Sequence, residues 1–184
     1  MSVPPDLPRP LDDGGAAGLL GRHVPITPLF DSRGDPVRLD APDAPTTVVF
    51  VFPLIADSRE GPPGGLVEWT RIPGARGCTA EACGYRDRYE GFEEIGAKLF
   101  GLSAQDSTWQ REAMSRLGLP YELLSDRDLA FSRALGLPTW RYRVGKYLKR
   151  LTFVVKGGKI VWVEYPVFPP GADAERVLQW LRAA

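Results

Sequence analysis

Two cysteines and one histidine are the residues of this chain whose chemistry is easiest to read from the sequence. Cys78 and Cys83 stand five positions apart, and His23 lies in a stretch rich in proline and glycine. Two cysteines at this spacing do not make the disulfide framework of a small secreted protein. They also fall short of the four ligands of a structural zinc site, unless carboxylates complete the set. No metal site and no cofactor are therefore expected.

Cys78 falls where a long loop becomes a helix, so its thiol is predicted to lie in the first helical turn. Free backbone N–H groups and the positive end of the helix dipole favour a thiolate there, and they lower the thiol pKa from about 8.5. A thiolate is the form that attacks electrophiles. This position therefore favours a reactive role for Cys78 over a role in core packing.

Cys83 would lie on the same helix, about 140° around the axis from Cys78 and about 7.5 Å further along it. A disulfide needs Cα atoms within about 7 Å and converging Cβ vectors. The two thiols can therefore bond only if the first turn or two of the helix unwinds. The alternative for Cys83 is that of a small core residue, because it follows the apolar Ala82.

Composition excludes several classes of protein. The 184 residues carry 23 Lys and Arg against 23 Asp and Glu, and a net charge of zero disfavours nucleic acid as the main partner. No apolar run is long enough to cross a membrane. The N-terminus has acidic and proline residues where a signal peptide would be basic and then apolar, so a cytoplasmic location is expected.

The predicted elements follow an α/β order. Residues 1–22 are predicted to form a flexible Pro/Gly-rich arm, and residues 23–184 one domain. The periodicity predicts strands at 26–30, 37–39 and 46–52, an irregular loop at 53–77, a helix at about 79–96, a strand at 98–103, a helix at 107–117, a strand at 122–124, a helix up to 135, strands at 151–155 and 160–165, and a final helix. Ser107, Asp126 and Asp173 are the predicted helix caps. Alternating strands and helices imply a central mixed sheet with helices on both faces and an N-terminal hairpin, a thioredoxin-like fold.

The segment CTAEACGYRD, preceded by PGARG, resembles the peroxidatic-cysteine motif of the peroxiredoxins, and most of all the peroxiredoxin Q or bacterioferritin comigratory protein group. The resemblance covers roughly residues 24–183 in the right order. It is carried by the segments HVPITPLFDSRGDPVRL, TTVVFVFP, AKLFGLSAQD, YELLSDRDLAFSRALGL and KRLTFVVKGGKI.

The resemblance assigns a role to four residues. It implies that Cys78 is the peroxidatic cysteine and Cys83 the resolving cysteine. Arg150 takes the place of the active-site arginine, and Glu81 that of the acid that orients it. A fixed guanidinium would stabilise the negative charge that develops as a peroxide O–O bond breaks. Without the resemblance, Arg150 would be taken for a surface arginine and Glu81 for an acid that favours the helix dipole.

The chain departs from the family pattern Pro-x-x-x-Thr-x-x-Cys at two positions, where Ala75 replaces threonine and Arg71 replaces proline. The active-site loop also carries an insertion at about 54–72. Pro73 is a candidate to shield the cysteine instead. Thr70, Thr79 or a backbone N–H are candidates to replace the lost hydroxyl. The predicted substrate pocket is formed by Pro73, Ala75, Gly77 and Thr79.

The resemblance implies a thiol peroxidase that reduces hydrogen peroxide and organic hydroperoxides through a Cys78 sulfenic acid and a Cys78–Cys83 disulfide. Thioredoxin or a glutaredoxin-like protein would reduce the disulfide, and the protein is expected to be a monomer or a weak dimer. The alternative is a redox sensor or chaperone-like protein that uses the same disulfide as a switch. Its binding surface would combine 165–170 with Leu66, Val67, Trp69 and Ile72. A disulfide oxidoreductase is disfavoured, because it normally uses a C-x-x-C motif.

Overall fold

The computed structural model describes residues 7–57 and 60–184. Its main sheet has seven strands in the order β2-β1-β5-β4-β3-β8-β9, and β6 and β7 form a separate hairpin. The strands are β1 (Leu29–Phe30), β2 (Pro36–Val37), β3 (Thr47–Val51), β4 (Lys98–Ser103), β5 (Glu122–Ser125), β6 (Thr139–Tyr142), β7 (Gly145–Leu148), β8 (Leu151–Lys156) and β9 (Lys159–Glu164). The helices are α1 (Gly65–Arg71), α2 (Cys78–Arg86), α3 (Tyr89–Glu94), α4 (Ser107–Leu117), α5 (Ala130–Leu135) and α6 (Asp173–Ala183), with a 3₁₀ turn at Pro170–Ala172.

Strand β3 is the centre of the sheet. It pairs in parallel with β4 and antiparallel with β8, while β4 pairs in parallel with β5. All five of its residues are buried, as expected for a β-branched and aromatic run covered on both faces. Val49 and Val51 pack into the core on one face, and Val48 and Phe50 into the core on the other. The predicted mixed sheet with helices on both faces is confirmed.

The second core layer carries the helix on which the cysteines lie. Ala82 and Tyr85 of α2 pack with Phe50 of β3 and Val177 of α6. The ring of Tyr85 stacks on that of Phe50 at a centroid distance of 4.5 Å. This contact fixes α2 against the central strand.

The predicted single helix at 79–96 is wrong, because the chain bends at Asp87 and Arg88 and forms α2 and α3 instead. The bend brings Gly91 against α6, where an added Cβ would lie 2.9 Å from Leu178. Glycine at this position allows α3 to approach α6 closely.

The sequence pattern did not predict helix α1, the β6–β7 hairpin or the 3₁₀ turn at Pro170–Ala172. The loop predicted to be irregular at 53–77 contains α1. The β6–β7 hairpin was also missed, because its turn has Arg143 at φ 51° where a glycine or asparagine is the usual indication. The opening hairpin is present, but its strands are only two residues long.

The arm predicted for residues 1–22 is not a separate tail over its described part. Ala16 and Leu19 are buried in the core on the side of the sheet that contains Val49 and Val51. The backbone N–H of Gly21 donates to the carbonyl of Ile160 in β9. Residues 1–6 lie outside the described part of the chain.

The predicted caps are only partly right. Asp106, not Ser107, accepts the hydrogen bond that caps α4. Asp126 accepts the backbone N–H groups of Phe131 and Ser132, as a cap of α5 would. The side chain of Asp173 does not cap α6 but points into the core.

Candidate active site

Cys78 is the first residue of α2, as predicted, and only 3% of its surface is exposed. The residue before it, Gly77, has a φ of 107°, a conformation that favours glycine. An added Cβ there would lie 2.7 Å from Cγ of Pro170. Glycine thus allows the sharp entry into α2 that places the sulfur at the helix start.

The guanidinium of Arg150 lies directly against this sulfur. Its Nη2 is 3.0 Å from Sγ of Cys78, and it also donates to the carbonyl oxygens of Gly74 and Arg76 at 3.2 and 3.3 Å. Arg150 immediately precedes β8 and is 2% exposed. The sheet thus supplies the cation, while the loop carbonyls fix the plane of its guanidinium.

Glu81 holds the other side of the same guanidinium. It lies three residues after Cys78 on α2, is fully buried, and accepts a hydrogen bond from Nη1 of Arg150. Burial raises the pKa of Glu81 to about 8, although the charge of Arg150 acts in the opposite direction. The structure thus brings together three of the four predicted catalytic residues.

The pKa of Cys78 differs from the sequence-based expectation. Burial raises the pKa of its thiol above the usual value, and the charge of Arg150 and the backbone N–H of Leu54 only oppose this effect. The helix start and the arginine both favour the thiolate, but the fold buries the thiol almost completely, which the local sequence does not indicate. While α2 is intact and the thiol is buried, the fraction of Cys78 present as thiolate therefore depends on the charge of Arg150.

Cys83 lies on α2 as predicted, half-buried, and both cysteines are free thiols. Since α2 is intact, the two side chains point in different directions around the helix axis. The helix must open before they can bond.

The predicted pocket residues have different surroundings. Pro73 lines an open cavity beside Arg150. Ala75 is fully buried, and its carbonyl oxygen accepts the indole N–H of Trp69 at 3.1 Å and lies 3.5 Å from Sγ of Cys78. Gly77 shapes the helix entry, and Thr79 is half-buried in the first turn of α2.

Of the candidates to replace the missing threonine hydroxyl, a backbone N–H is favoured, because the N–H of Leu54 acts to lower the pKa of the Cys78 thiol. Thr70 does not, because its hydroxyl donates to the carbonyl of Leu66 and accepts from Arg76. The inserted loop nevertheless contributes to the site through Trp69, which packs against Trp140 and Tyr147 of the β6–β7 hairpin at centroid distances of 5.4 and 5.2 Å.

The cavity beside Arg150 has a volume of about 250 Å³. Its apolar walls come from separate parts of the chain, namely Leu11, Ile72, Pro73, Trp140, Tyr165 and Pro166. Sequence reasoning missed Leu11 and Trp140, since neither belongs to a motif and both reach the site only through the fold.

Within the part of the chain that the structure describes, no group of three or more His, Cys, Asp or Glu residues could hold a metal ion. Over the same residues, no helix has the length and apolar character needed to cross a membrane.

Comparisons with known proteins agree with this geometry. The Redoxin family model matches residues 21–178. Peroxiredoxin Q from Gentiana triflora, described as chloroplastic, is 33% identical over all of this chain and 78% of its own length. Peroxiredoxin Q from Arabidopsis thaliana, also chloroplastic, is 30% identical over 89% of this chain and 67% of its own length.

The chain belongs to the peroxiredoxin Q family. The thioredoxin-like fold is confirmed as well. Peroxidoxin BcpB from Mycobacterium tuberculosis superimposes with a TM-score of 0.69 at 28% identity, over 90% of this chain and 97% of that one. A peroxiredoxin Q from Xanthomonas campestris, at 24% identity and a TM-score of 0.68 over 90% and 96% of the two chains, shares the fold.

Membership of the peroxiredoxin Q family confirms that this protein is a thiol peroxidase. Its substrates are thus hydroperoxides, and its electrons come from a thiol reductant.

Proposed function

We propose that Cys78 reduces hydroperoxides by direct attack of its thiolate on the O–O bond. The observation that carries this proposal is the Arg150 guanidinium 3.0 Å from a sulfur at a helix start. The sulfur forms a bond to one peroxide oxygen, the O–O bond breaks, and the second oxygen leaves as an alkoxide or hydroxide that takes up a proton. Cys78 is oxidised to a sulfenic acid, and the peroxide is reduced to an alcohol or water.

Arg150 and Glu81 are the proposed electrostatic partners of this step. Arg150 stabilises both the thiolate and the leaving oxygen, since its Nη2 contacts the sulfur and the residue also lines the cavity. Glu81 accepts from the other guanidinium nitrogen and so holds the group in one orientation. The two side chains form one unit, in which the carboxyl acts through the arginine.

Cys83 is the proposed resolving thiol. Once α2 opens, the Cys83 sulfur attacks the sulfenic sulfur of Cys78, a disulfide forms, and water leaves. A thioredoxin or a glutaredoxin-like dithiol then takes over the disulfide by exchange. A monomer or weak dimer in the cytoplasm stays the prediction for the protein, while the curated plant relatives are described as chloroplastic.

The direct test of this function is a steady-state assay in which thioredoxin, thioredoxin reductase and NADPH are coupled to peroxide consumption. The proposal expects NADPH oxidation that depends on the protein, on the peroxide and on thioredoxin. A protein that is oxidised once and then stops, although reduced thioredoxin is present, would contradict the proposed recycling.

Replacing Cys83 by serine separates the two thiol roles. The first oxidation of Cys78 should keep a rate within about 2-fold of wild type, because Cys83 does not contact the reacting atoms. Turnover with thioredoxin should fall at least about 20-fold, since the sulfenic acid has no internal partner. Stopped-flow oxidation and the coupled assay measure the two effects. Unchanged turnover would leave Cys83 as a core residue only.

The apolar cavity is the proposed binding site for the organic group of the substrate. Truncation of the partly buried Ile72 to serine removes apolar surface from the cavity wall and should lower kcat/KM for cumene hydroperoxide by about 3- to 10-fold. The value for hydrogen peroxide should change less than 2-fold, because that molecule has no organic group to contact the cavity walls. Val144→Ser, at a fully exposed position, is the matched control. Equal losses for both peroxides would argue against this use of the cavity.

The alternative of a redox sensor or chaperone-like protein is not favoured. Its proposed surface is largely covered, because Trp69 and Val167 are buried in the fold. Leu66 and Val67 remain exposed, but they are two neighbours on the short helix α1. Membership of a peroxidase family and the burial of these side chains both favour a peroxidase over a sensor or chaperone-like protein.

A further inference from the structure

A buried carboxylate lies behind the active site without belonging to it. Asp173 is the first residue of α6 and has no exposed surface. Its Oδ2 accepts the hydroxyl groups of Tyr85 and Thr152, each at 2.6 Å. Its Oδ1 has no hydrogen-bond partner among the described residues, and Nη2 of Arg176 is 3.7 Å away. A buried carboxylate with one unsatisfied oxygen is costly, so its position calls for an explanation.

The two hydroxyl groups come from the elements that carry Glu81 and Arg150. Tyr85 lies four residues after Glu81 on α2, so the two side chains share a helix face. Thr152 lies two residues after Arg150, on the same face of the extended segment that becomes β8. Asp173 thus ties α2 to β8 from a third element, α6.

The residues just before Asp173 also pack closely against α2. An added Cβ at Gly77 would lie 2.7 Å from Cγ of Pro170, and one at Gly84 would lie 3.1 Å from the carbonyl oxygen of Gly171. The segment 170–173 therefore contacts α2 at its first turn through Pro170, near its end through Gly171, and at Tyr85 through Asp173. We name this segment the clamp.

The clamp matters because α2 has to open for the second half of the proposed cycle. In the intact helix, Cys78 and Cys83 cannot bond. Opening the helix as far as Cys83 disturbs its next turn, where the Tyr85 hydroxyl is bonded to Asp173. A hydrogen bond to a charged acceptor is stronger than one between neutral groups, so its loss raises the barrier to opening.

We propose that Asp173, through its bond to Tyr85, is a positioning residue that keeps α2 folded and thereby sets the fate of the Cys78 sulfenic acid. This inference rests on the proposed peroxidase cycle. In the open helix, the sulfenic acid and the Cys83 thiol give a disulfide and water. In the folded helix, the sulfenic acid instead reacts with a second hydroperoxide, which oxidises it to sulfinic acid and is itself reduced to an alcohol or water. The contacts of the clamp with α2 slow disulfide formation, so that more of the sulfenic acid is oxidised to sulfinic acid.

The test is Tyr85→Phe, which removes the hydroxyl and keeps the ring that stacks on Phe50. After one equivalent of hydrogen peroxide, disulfide formation should be about 5- to 50-fold faster than in wild type. The rate of the first oxidation should change less than about 3-fold, because Cys78 and Arg150 are untouched. At a large excess of peroxide, the fraction of Cys78 found as sulfinic acid by mass spectrometry should fall by several-fold.

Asp173→Asn is the second variant, since it keeps one acceptor oxygen but loses the charge. Like Tyr85→Phe, it should speed disulfide formation and lower the fraction of sulfinic acid. It also provides the test if Tyr85→Phe does not fold. Tyr142→Phe is the matched control, because it removes a tyrosine hydroxyl bonded to the carboxylate of Glu68, away from α2.

The two possible failures are distinguishable. A wild-type protein whose Cys78 is not oxidised, or forms no disulfide, would overturn the proposed cycle itself. A wild type that forms the disulfide at the same rate as Tyr85→Phe and Asp173→Asn would overturn the clamp alone. The clamp would also be overturned if Tyr142→Phe changed the ratio of disulfide to sulfinic acid as much as Tyr85→Phe and Asp173→Asn do.

Discussion

Cys78→Ser is expected to lose at least about 10³-fold in peroxide turnover, the largest effect of any single substitution in this chain. A serine hydroxyl stays protonated at neutral pH and does not form the sulfenic acid on which the cycle depends. The fold should be unaffected, because serine is close to cysteine in size and the Ala75 carbonyl remains available as an acceptor. The coupled thioredoxin assay measures the loss, and circular dichroism confirms the fold.

Cys83→Ser is the matched control for this substitution. Both variants lose one thiol from the same helix, yet only Cys78→Ser should lose the first oxidation. If Cys78→Ser keeps full turnover, or if Cys83→Ser alone loses the first step, the two roles are assigned wrongly.

Arg150→Met is expected to lower the second-order rate of Cys78 oxidation by about 10²- to 10³-fold. This is the usual effect of removing one preorganised donor to a developing oxyanion. Two causes act together, because the thiol pKa rises further without the opposing charge and the leaving oxygen loses its partner. Stopped-flow measurement at several pH values separates the two causes, since only the first is recovered at high pH.

The loss of this buried arginine should leave Glu81 protonated, because burial already raises the pKa of Glu81 to about 8. Adding Glu81→Gln to Arg150→Met should therefore change the rate little further, since the carboxyl acts through the arginine. The control is Arg127→Met, at an exposed arginine on the surface. A decrease of less than about 5-fold in Arg150→Met would show that the guanidinium does not act on the reaction.

The central strands and the reactive cysteine were predictable from local sequence. The run TTVVFVF is apolar and β-branched throughout, so a strand buried on both faces was the natural expectation. Cys78 follows a glycine-rich loop and precedes helical periodicity, which placed it at the start of α2. These features depend on neighbours along the chain.

The features that were missed depend on neighbours in space. Helix α1 is short and begins after Gly64 without a side-chain cap, and the turn of the β6–β7 hairpin lacks glycine. Leu11 and Trp140 both line the cavity although they are far apart in the sequence. The raised pKa of the Cys78 thiol could not be predicted for the same reason, since burial comes from residues far away in sequence.

Arg150 was found only through the resemblance. It is 72 residues from Cys78, and its position before a strand gave no sign that it is buried. The antiparallel pairing of β8 with β3 brings it to the start of α2. The hydrogen bond from its Nη1 to the buried carboxyl of Glu81 then holds it in place.

The most direct test is the intact mass and peptide map of the reduced protein after one equivalent of hydrogen peroxide. We expect a product lighter by two hydrogen atoms, in which a disulfide joins Cys78 and Cys83. A stable sulfenic acid or an unchanged Cys78 would contradict the account, and so would a disulfide that joins two copies of the chain.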